Sequence, residues 1–156
     1  MVHTGRLLLA IGGTLSAVIA VAHLIVLAIG PAGYRFFGAG DTLARLAESG
    51  SGTPAKVMLV ATGIVVLCAV FGFSGAGLIR RLPLLRPALA VIAFVYLLRG
   101  LSAFPQGVAF VMRPSTMPFQ YFVVSFVSLV AGVCYAMGAR VLWDWLGPNP
   151  QTNQQT

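Results

Sequence analysis

The sequence predicts an all-α membrane protein, a four-helix bundle with a short amphipathic interfacial helix between spans 1 and 2. Of its 156 residues, 58% are hydrophobic and only 8% are charged, whereas soluble domains carry roughly 25% charged residues. Four apolar runs approach or exceed the ~20 residues that a helix needs to cross a bilayer. The predicted spans are about 7–29, 57–79, 87–104 and 119–143, within one transmembrane domain, 1–147, followed by a disordered polar tail, 148–156.

The basic residues lie at the ends of the apolar runs and indicate topology, although the net charge of +7 alone would also suit nucleic-acid binding. They do not cluster on a polar face among stacking aromatic residues, so we expect no nucleic-acid partner. The dense loop around Arg80, Arg81 and Arg86 is the clearest positive-inside signal. It predicts a multi-pass protein of the bacterial inner (plasma) membrane with both termini cytoplasmic.

The first span resembles the start of a secretory signal but is too long for one. Its apolar run continues beyond the 7–15 residues typical of a signal core, so we expect an uncleaved span. Small residues at Gly12, Ser16 and Ala20 recur every four positions, and His23 continues that row. Small residues let neighbouring helices approach closely in lipid. His23 is therefore predicted to face the inside of the bundle.

The connection between spans 1 and 2 is too long for a simple turn. Tyr34, Phe36 and Phe37 suit the headgroup layer of the membrane. Asp41 is a suitable N-cap for a short helix over 42–48 that would lie on the membrane surface. A Gly-Ser linker, 49–52, leads into the second span.

Arg99 is the residue that most strongly suggests a binding site. An arginine within a span costs about 2.5–3.5 kcal/mol on insertion scales, and the three acidic residues of the chain all lie outside the predicted spans. Its partner is therefore a loop carboxylate, a helix end, water or an anionic ligand. The alternative is that Arg99 extends its guanidinium to the membrane surface and binds nothing.

Several polar residues are predicted to lie at similar depths in the membrane. We therefore predict that they form one ligand-binding site near the outer ends of the spans. At 1.5 Å per residue, His23 and Arg99 differ in depth by only a few ångströms. The predicted site residues are His23, Tyr34, Arg35, Asp41 and Arg99. Gln106, Gln120 and Tyr121 are supplementary candidates. For His23, a structural hydrogen bond to a carbonyl or serine is the alternative to a ligand contact.

No residue pattern indicates a cofactor, a metal site or a catalytic centre. Cys68 and Cys134 both fall inside spans and form no CxxC motif. One histidine in a span cannot supply a bis-His haem site. The segment 38–41 resembles a phosphate-binding turn but lacks the lysine of a Walker loop. We therefore expect no catalytic residues, and an enzyme is the less favoured class.

Three segments resemble a group of small bacterial four-helix inner-membrane proteins that are uncharacterised. The segments are 34–40, 74–86 and 96–100, and the likeness extends from about residue 23 to residue 100. In outline, the chain is also similar to the DoxX-like group of four-helix membrane proteins. Both resemblances imply the same fold, and neither implies an activity or a catalytic residue.

Three interpretations of function follow from these patterns. The favoured one is a membrane protein that binds a small or lipid-like anionic molecule at the outer-leaflet polar site. The second is a non-catalytic accessory or assembly subunit, whose partners are other membrane helices or further copies of the chain. The third is a small quinone-linked membrane oxidoreductase. The sequence identifies no ligand, pathway or oligomeric state.

Overall fold

The structure is a computed structural model and describes residues 2–36, 41–112 and 119–146. These residues form seven helices and no strands. The helices are α1 (Val2–Ile29), α2 (Pro31–Phe36), α3 (Asp41–Glu48), α4 (Thr53–Ala76), α5 (Leu85–Leu101), α6 (Ala103–Met112) and α7 (Phe119–Val141). Four helical segments within the described ranges are long and apolar enough to cross a membrane. The predicted all-α four-helix architecture is confirmed.

Glycine and proline set the ends of the first two spans. Gly30 follows α1 with φ +75°, a left-handed conformation that glycine adopts without a Cβ clash. Pro31 then opens α2, where a missing N–H costs little. Gly77 ends α4 in the same left-handed conformation, with φ +78°. Both helices therefore end at a glycine.

The four spans form a ring in which α1 packs against α4 and α7, and α5 packs against α7 and α4. Helices α1 and α5 consequently lie diagonally across the bundle. We call the end that holds the start of α1, the α4–α5 connection and residues 142–146 the terminal end. The opposite end, which holds α2, α3 and α6, is the distal end.

Close helix approach depends on small residues within the spans. Gly12, Ser16 and Ala20 are buried, as the four-residue spacing predicted. Between α5 and α7 the backbones nearly touch, because a Cβ added to Gly100 would lie 2.5 Å from the Cα of Leu129. Packing of this kind replaces the hydrophobic effect as the associating force between helices in lipid.

Two predicted non-helical segments are helical in the structure. A loop was predicted from Gln106 onward, but α6 extends the helical region to Met112. Pro105 lies in the first turn of α6, where its missing N–H breaks no helical hydrogen bond. Likewise, the segment around Tyr34 forms α2. The candidate third span is consequently 25 residues long, Leu85–Ala109.

Helix α3 is present where a short helix was predicted, and its position at a membrane surface stays a prediction. The predicted tail 148–156 lies outside the described residues, as do Phe37 and Arg113.

Candidate functional site

Arg99 lies near the end of α5, on the outward face of the bundle. Its side chain is exposed, and the neighbouring Leu98 and Leu101 are 63% and 56% exposed. Its contact residue on α7, Ser125, lies six residues after Phe119. At 1.5 Å per residue, that is about 9 Å inside the first residue of α7. Arg99 therefore lies well within the candidate span and faces the surface that lipid would cover.

Arg99 belongs to a small cluster of polar side chains from α5, α6, α7 and the residue between α5 and α6. Its Nη1 lies 3.4 Å from the Ser102 Oγ and 3.5 Å from the Ser125 Oγ. The Ser125 hydroxyl donates to the Gln106 Oε1 at 2.7 Å, and the Ser102 hydroxyl donates to the Arg99 carbonyl at 2.7 Å. We call these four residues, Arg99, Ser102, Gln106 and Ser125, the Arg99 cluster.

The contacts of the guanidinium in this cluster are long and use neutral acceptors. A guanidinium carries five N–H donors arranged to match a carboxylate or phosphate. Here the two hydroxyl contacts of Arg99 lie at the upper limit of a hydrogen bond. Among the side chains that the structure describes, Arg99 has no carboxylate partner, because Glu48 pairs with Arg35 and Asp144 lies at the terminal end. Among the described side chains, the positive charge of the Arg99 cluster consequently has no carboxylate beside it.

His23 forms its described hydrogen bond within its own helix. Its Nδ1 lies 2.8 Å from the carbonyl oxygen of Ile19, one turn earlier in α1, and its side chain is half-buried. Helix α1 lies diagonally opposite α5, and in the described part of the chain no hydrogen bond joins His23 to Arg99. This hydrogen bond to the Ile19 carbonyl is the structural role that the sequence offered as the alternative to a ligand contact. A ligand contact by His23 stays a prediction.

Tyr34 is a core residue of the distal end rather than an exposed aromatic. It is 2% exposed and packs in a cluster with Val26, Ala44 and Met58. This cluster holds α2 and α3 against α1 and α4. The predicted ligand contact of Tyr34 has no support from its position, because its surface is already covered.

Arg35 has a carboxylate partner, in contrast to Arg99. Its two terminal nitrogens bind the two oxygens of Glu48 at 2.7 and 3.0 Å. The Tyr121 hydroxyl donates to the Arg35 carbonyl at 3.4 Å. Tyr121 is one turn before Ser125 on α7, so α2 and the Arg99 cluster contact the same face of α7, about 6 Å apart along its axis. The side chain of Asp41 is not among the described side chains, so its ligand contact stays a prediction.

A second polar feature, which sequence reasoning missed, lies at the centre of the bundle. The Tyr96 hydroxyl donates to the Ser16 Oγ at 2.9 Å, and the Ser16 and Tyr135 oxygens are 3.0 Å apart. The Tyr135 hydroxyl donates to the Cys68 carbonyl at 2.8 Å, so the Ser16 hydroxyl is the donor to Tyr135. This chain of hydrogen bonds joins α5, α1, α7 and α4. Tyrosines in the middle of apolar spans were the available sequence signal.

The central hydroxyl chain is satisfied and closely packed, which indicates a structural role. Ser16 and Tyr135 are 0% exposed, and Tyr96 is 8% exposed. The Tyr96 and Tyr135 rings stack with centroids 5.8 Å apart. Cys68 and Cys134 are both free thiols. In the described part of the chain, no three His, Cys, Asp or Glu side chains are grouped to hold a metal ion.

Comparisons of the chain with protein-family models, curated proteins and solved structures find no match.

Proposed function

We propose that this multi-pass membrane protein binds a lipid-like anionic molecule through Arg99. The observation that supports this proposal most strongly is the environment of the Arg99 guanidinium. It lies on the outward face of a candidate span, and its described partners are two neutral hydroxyls at 3.4 and 3.5 Å. A phosphate or carboxylate would replace these long contacts with charge-assisted hydrogen bonds.

An arginine within a span raises the free energy of membrane insertion unless its charge is compensated. An unpaired arginine at the centre of a span costs about 2.5–3.5 kcal/mol on insertion scales. Two weak hydroxyl contacts offset little of that cost, because hydrogen bonds between helices in membranes contribute only about 0.6 kcal/mol on average. An anion that accepts two parallel hydrogen bonds from the Arg99 guanidinium neutralises its positive charge directly. The Ser102 and Ser125 hydroxyls already donate to the Arg99 carbonyl and to Gln106, so the guanidinium itself supplies the hydrogen bonds to the anion.

The surroundings of Arg99 favour a lipid-like ligand over a small soluble one. Leu98, Leu101 and Phe104 flank it and are 63%, 56% and 65% exposed. A molecule that reaches Arg99 from the outside of the bundle thus crosses an apolar surface. A headgroup with attached acyl chains matches both features, since its chains cover the apolar residues while its anion meets the guanidinium.

The side of the membrane is part of the same proposal. The terminal end holds Arg6, Arg80, Arg81, Arg86 and Arg140. By the positive-inside rule, the terminal end faces the cytoplasm and the Arg99 cluster belongs to the outer leaflet of a bacterial inner membrane.

The packing of the small residues weighs against the accessory-subunit interpretation. That interpretation requires rows of small residues on exposed faces, available to partner helices. Gly12 and Ser16 of α1 and Gly132 of α7 are instead buried within this chain. A Cβ on Gly132 would lie 2.8 Å from the Leu97 backbone nitrogen, so that row is already occupied by α5.

Native mass spectrometry of gently extracted protein tests the proposal. In an Arg140→Gln background, we expect an anionic lipid or metabolite to be retained when Arg99 is present and lost from Arg99→Gln, with the far-UV circular dichroism unchanged. Lys56→Gln is the matched control, because it removes one exposed positive charge from the distal end outside the Arg99 cluster. Equal ligand content in that background with Arg99 and with Arg99→Gln would refute the proposal.

A further inference from the structure

A second candidate site lies at the other end of the bundle, in a groove on the outer surface between α5 and α7. The groove has a volume of about 370 Å³, within the range of small-molecule pockets. Its floor is formed by Ala93 and Ala139, which are 5% and 4% exposed. Phe94, 65% exposed, forms one wall. The groove follows α5 from Ala90 to Leu97, about 10 Å along the helix.

The groove is apolar along its length and positively charged at its terminal end. Arg140 and Trp143 line that end. The Arg140 side chain is exposed, and no described side chain pairs with it. The carboxylate nearest in sequence, Asp144, lies 4.0 Å from the Arg86 guanidinium. The Arg140 guanidinium, which pairs with none of the described carboxylates, thus lies beside one end of an apolar groove.

Arg86 fixes the position of Trp143 at this end. Its Nε donates to the Trp143 carbonyl at 2.6 Å, and its guanidinium lies 5.3 Å from the centroid of the Trp143 ring. Tryptophan is typical of the interface between headgroups and acyl chains. If the acyl chain of a lipid followed the groove, the headgroup of that lipid would lie beside the Trp143 indole and the Arg140 guanidinium.

We infer that this groove binds one acyl chain of an anionic phospholipid, with the lipid phosphate at Arg140. Charge complementarity and the apolar lining support this assignment. Basic pockets between transmembrane helices are common sites for anionic headgroups, and the alanine floor leaves an apolar channel between α5 and α7. The charged end of this site is separate from the Arg99 cluster, because Arg140 and Ser125 lie fifteen residues apart on α7, about 22 Å along its axis.

Quenching of Trp143 fluorescence by brominated lipids measures occupancy of this groove. The chain has two tryptophans, so Trp145→Phe leaves Trp143 as the single reporter. The protein is placed in phosphatidylcholine vesicles that contain increasing fractions of brominated phosphatidylglycerol or brominated phosphatidylcholine. We expect the relative binding constant to favour phosphatidylglycerol about fivefold, the effect of one arginine near an anionic surface. Arg140→Gln in the same background should reduce that preference to about one.

Two further variants separate the groove from the general surface charge. Arg80→Gln removes an exposed charge from the same end but not from the groove, and it should leave the preference unchanged. Ala136→Leu fills the groove and should weaken quenching by both lipids. The inference is overturned if the parent shows no preference, or if Arg80→Gln and Arg140→Gln reduce it equally. It is also overturned if Trp143 is protected from both lipids and Ala136→Leu dissociates an oligomer, because a second copy then covers the groove.

Discussion

The hydroxyls of Tyr96 and Tyr135, from the neighbouring helices α5 and α7, converge on a single side chain of α1, Ser16. The two tyrosine rings stack at 21° between their planes, and each hydroxyl oxygen lies within 3.0 Å of the Ser16 Oγ. The hydrogen-bond chain ends on the Cys68 carbonyl. One buried serine thus fixes α1 relative to both α5 and α7, the two helices that carry the proposed binding sites.

The central chain predicts unequal effects of removing its two tyrosine hydroxyls. Tyr135→Phe deletes two hydrogen bonds and leaves the Ser16 hydroxyl without its acceptor, so we expect a loss of about 1–2 kcal/mol in unfolding free energy. Tyr96→Phe deletes one bond at the end of the chain and should cost less. Unfolding in mixed detergent micelles measures both, and Tyr121→Phe at the distal end is the control. Equal stabilities of Tyr135→Phe and the parent would refute this role.

The contact between Gly100 and Leu129 predicts a second stability effect. Gly100→Ala places a Cβ against backbone atoms of α7 at 2.5–2.7 Å, so the helices must separate, at a cost of about 1–3 kcal/mol. Gly63→Ala in α4 is the matched control, because nothing lies within 4 Å of its added Cβ. It should be neutral or stabilise α4. The same unfolding assay compares them, and similar stabilities of the two variants would contradict the packing.

The proposed topology predicts which connections a membrane-impermeant maleimide reaches in intact cells. Ser49→Cys follows α3 at the distal end and should be labelled from outside. Leu78→Cys, 65% exposed at the terminal end, should be labelled only after permeabilisation. Cys68 and Cys134 lie within candidate spans, and the parent chain measures their background labelling. The reverse pattern would place the Arg99 cluster in the inner leaflet.

The sequence predicted the spans better than the arrangement of the helices around the bundle. The apolar runs identified all four spans because hydropathy and length are local properties. The neighbours of each helix depend on tertiary packing, so the distance between His23 on α1 and Arg99 on α5 could not be read from matching depths. The depth argument did select Arg99 and Gln106, which lie in one cluster.

Serine and proline account for most of the remaining differences. Ser102 and Ser125 were not among the predicted site residues, since nothing in their local sequence distinguishes them from serines that pack between helices. The third span was predicted to end at residue 104, just before Pro105, although a proline in the first turn of a helix is compatible with its continuation. The pairing of Arg35 with Glu48 was not predicted either. The two residues are thirteen positions apart and meet only because α2 packs against α3.

The central claim is that Arg99 carries an available positive charge for an anionic lipid. Titration of delipidated protein with phosphatidylglycerol, followed by native mass spectrometry, tests it most directly. The parent chain should bind phosphatidylglycerol more tightly than phosphatidylcholine, and Arg99→Gln should weaken binding about fivefold or more, the effect of one arginine near an anionic headgroup. Arg99→Lys should recover part of the lost affinity, because lysine restores the positive charge but cannot form the paired hydrogen bonds of a guanidinium. Identical dissociation constants for the parent and Arg99→Gln would contradict the claim.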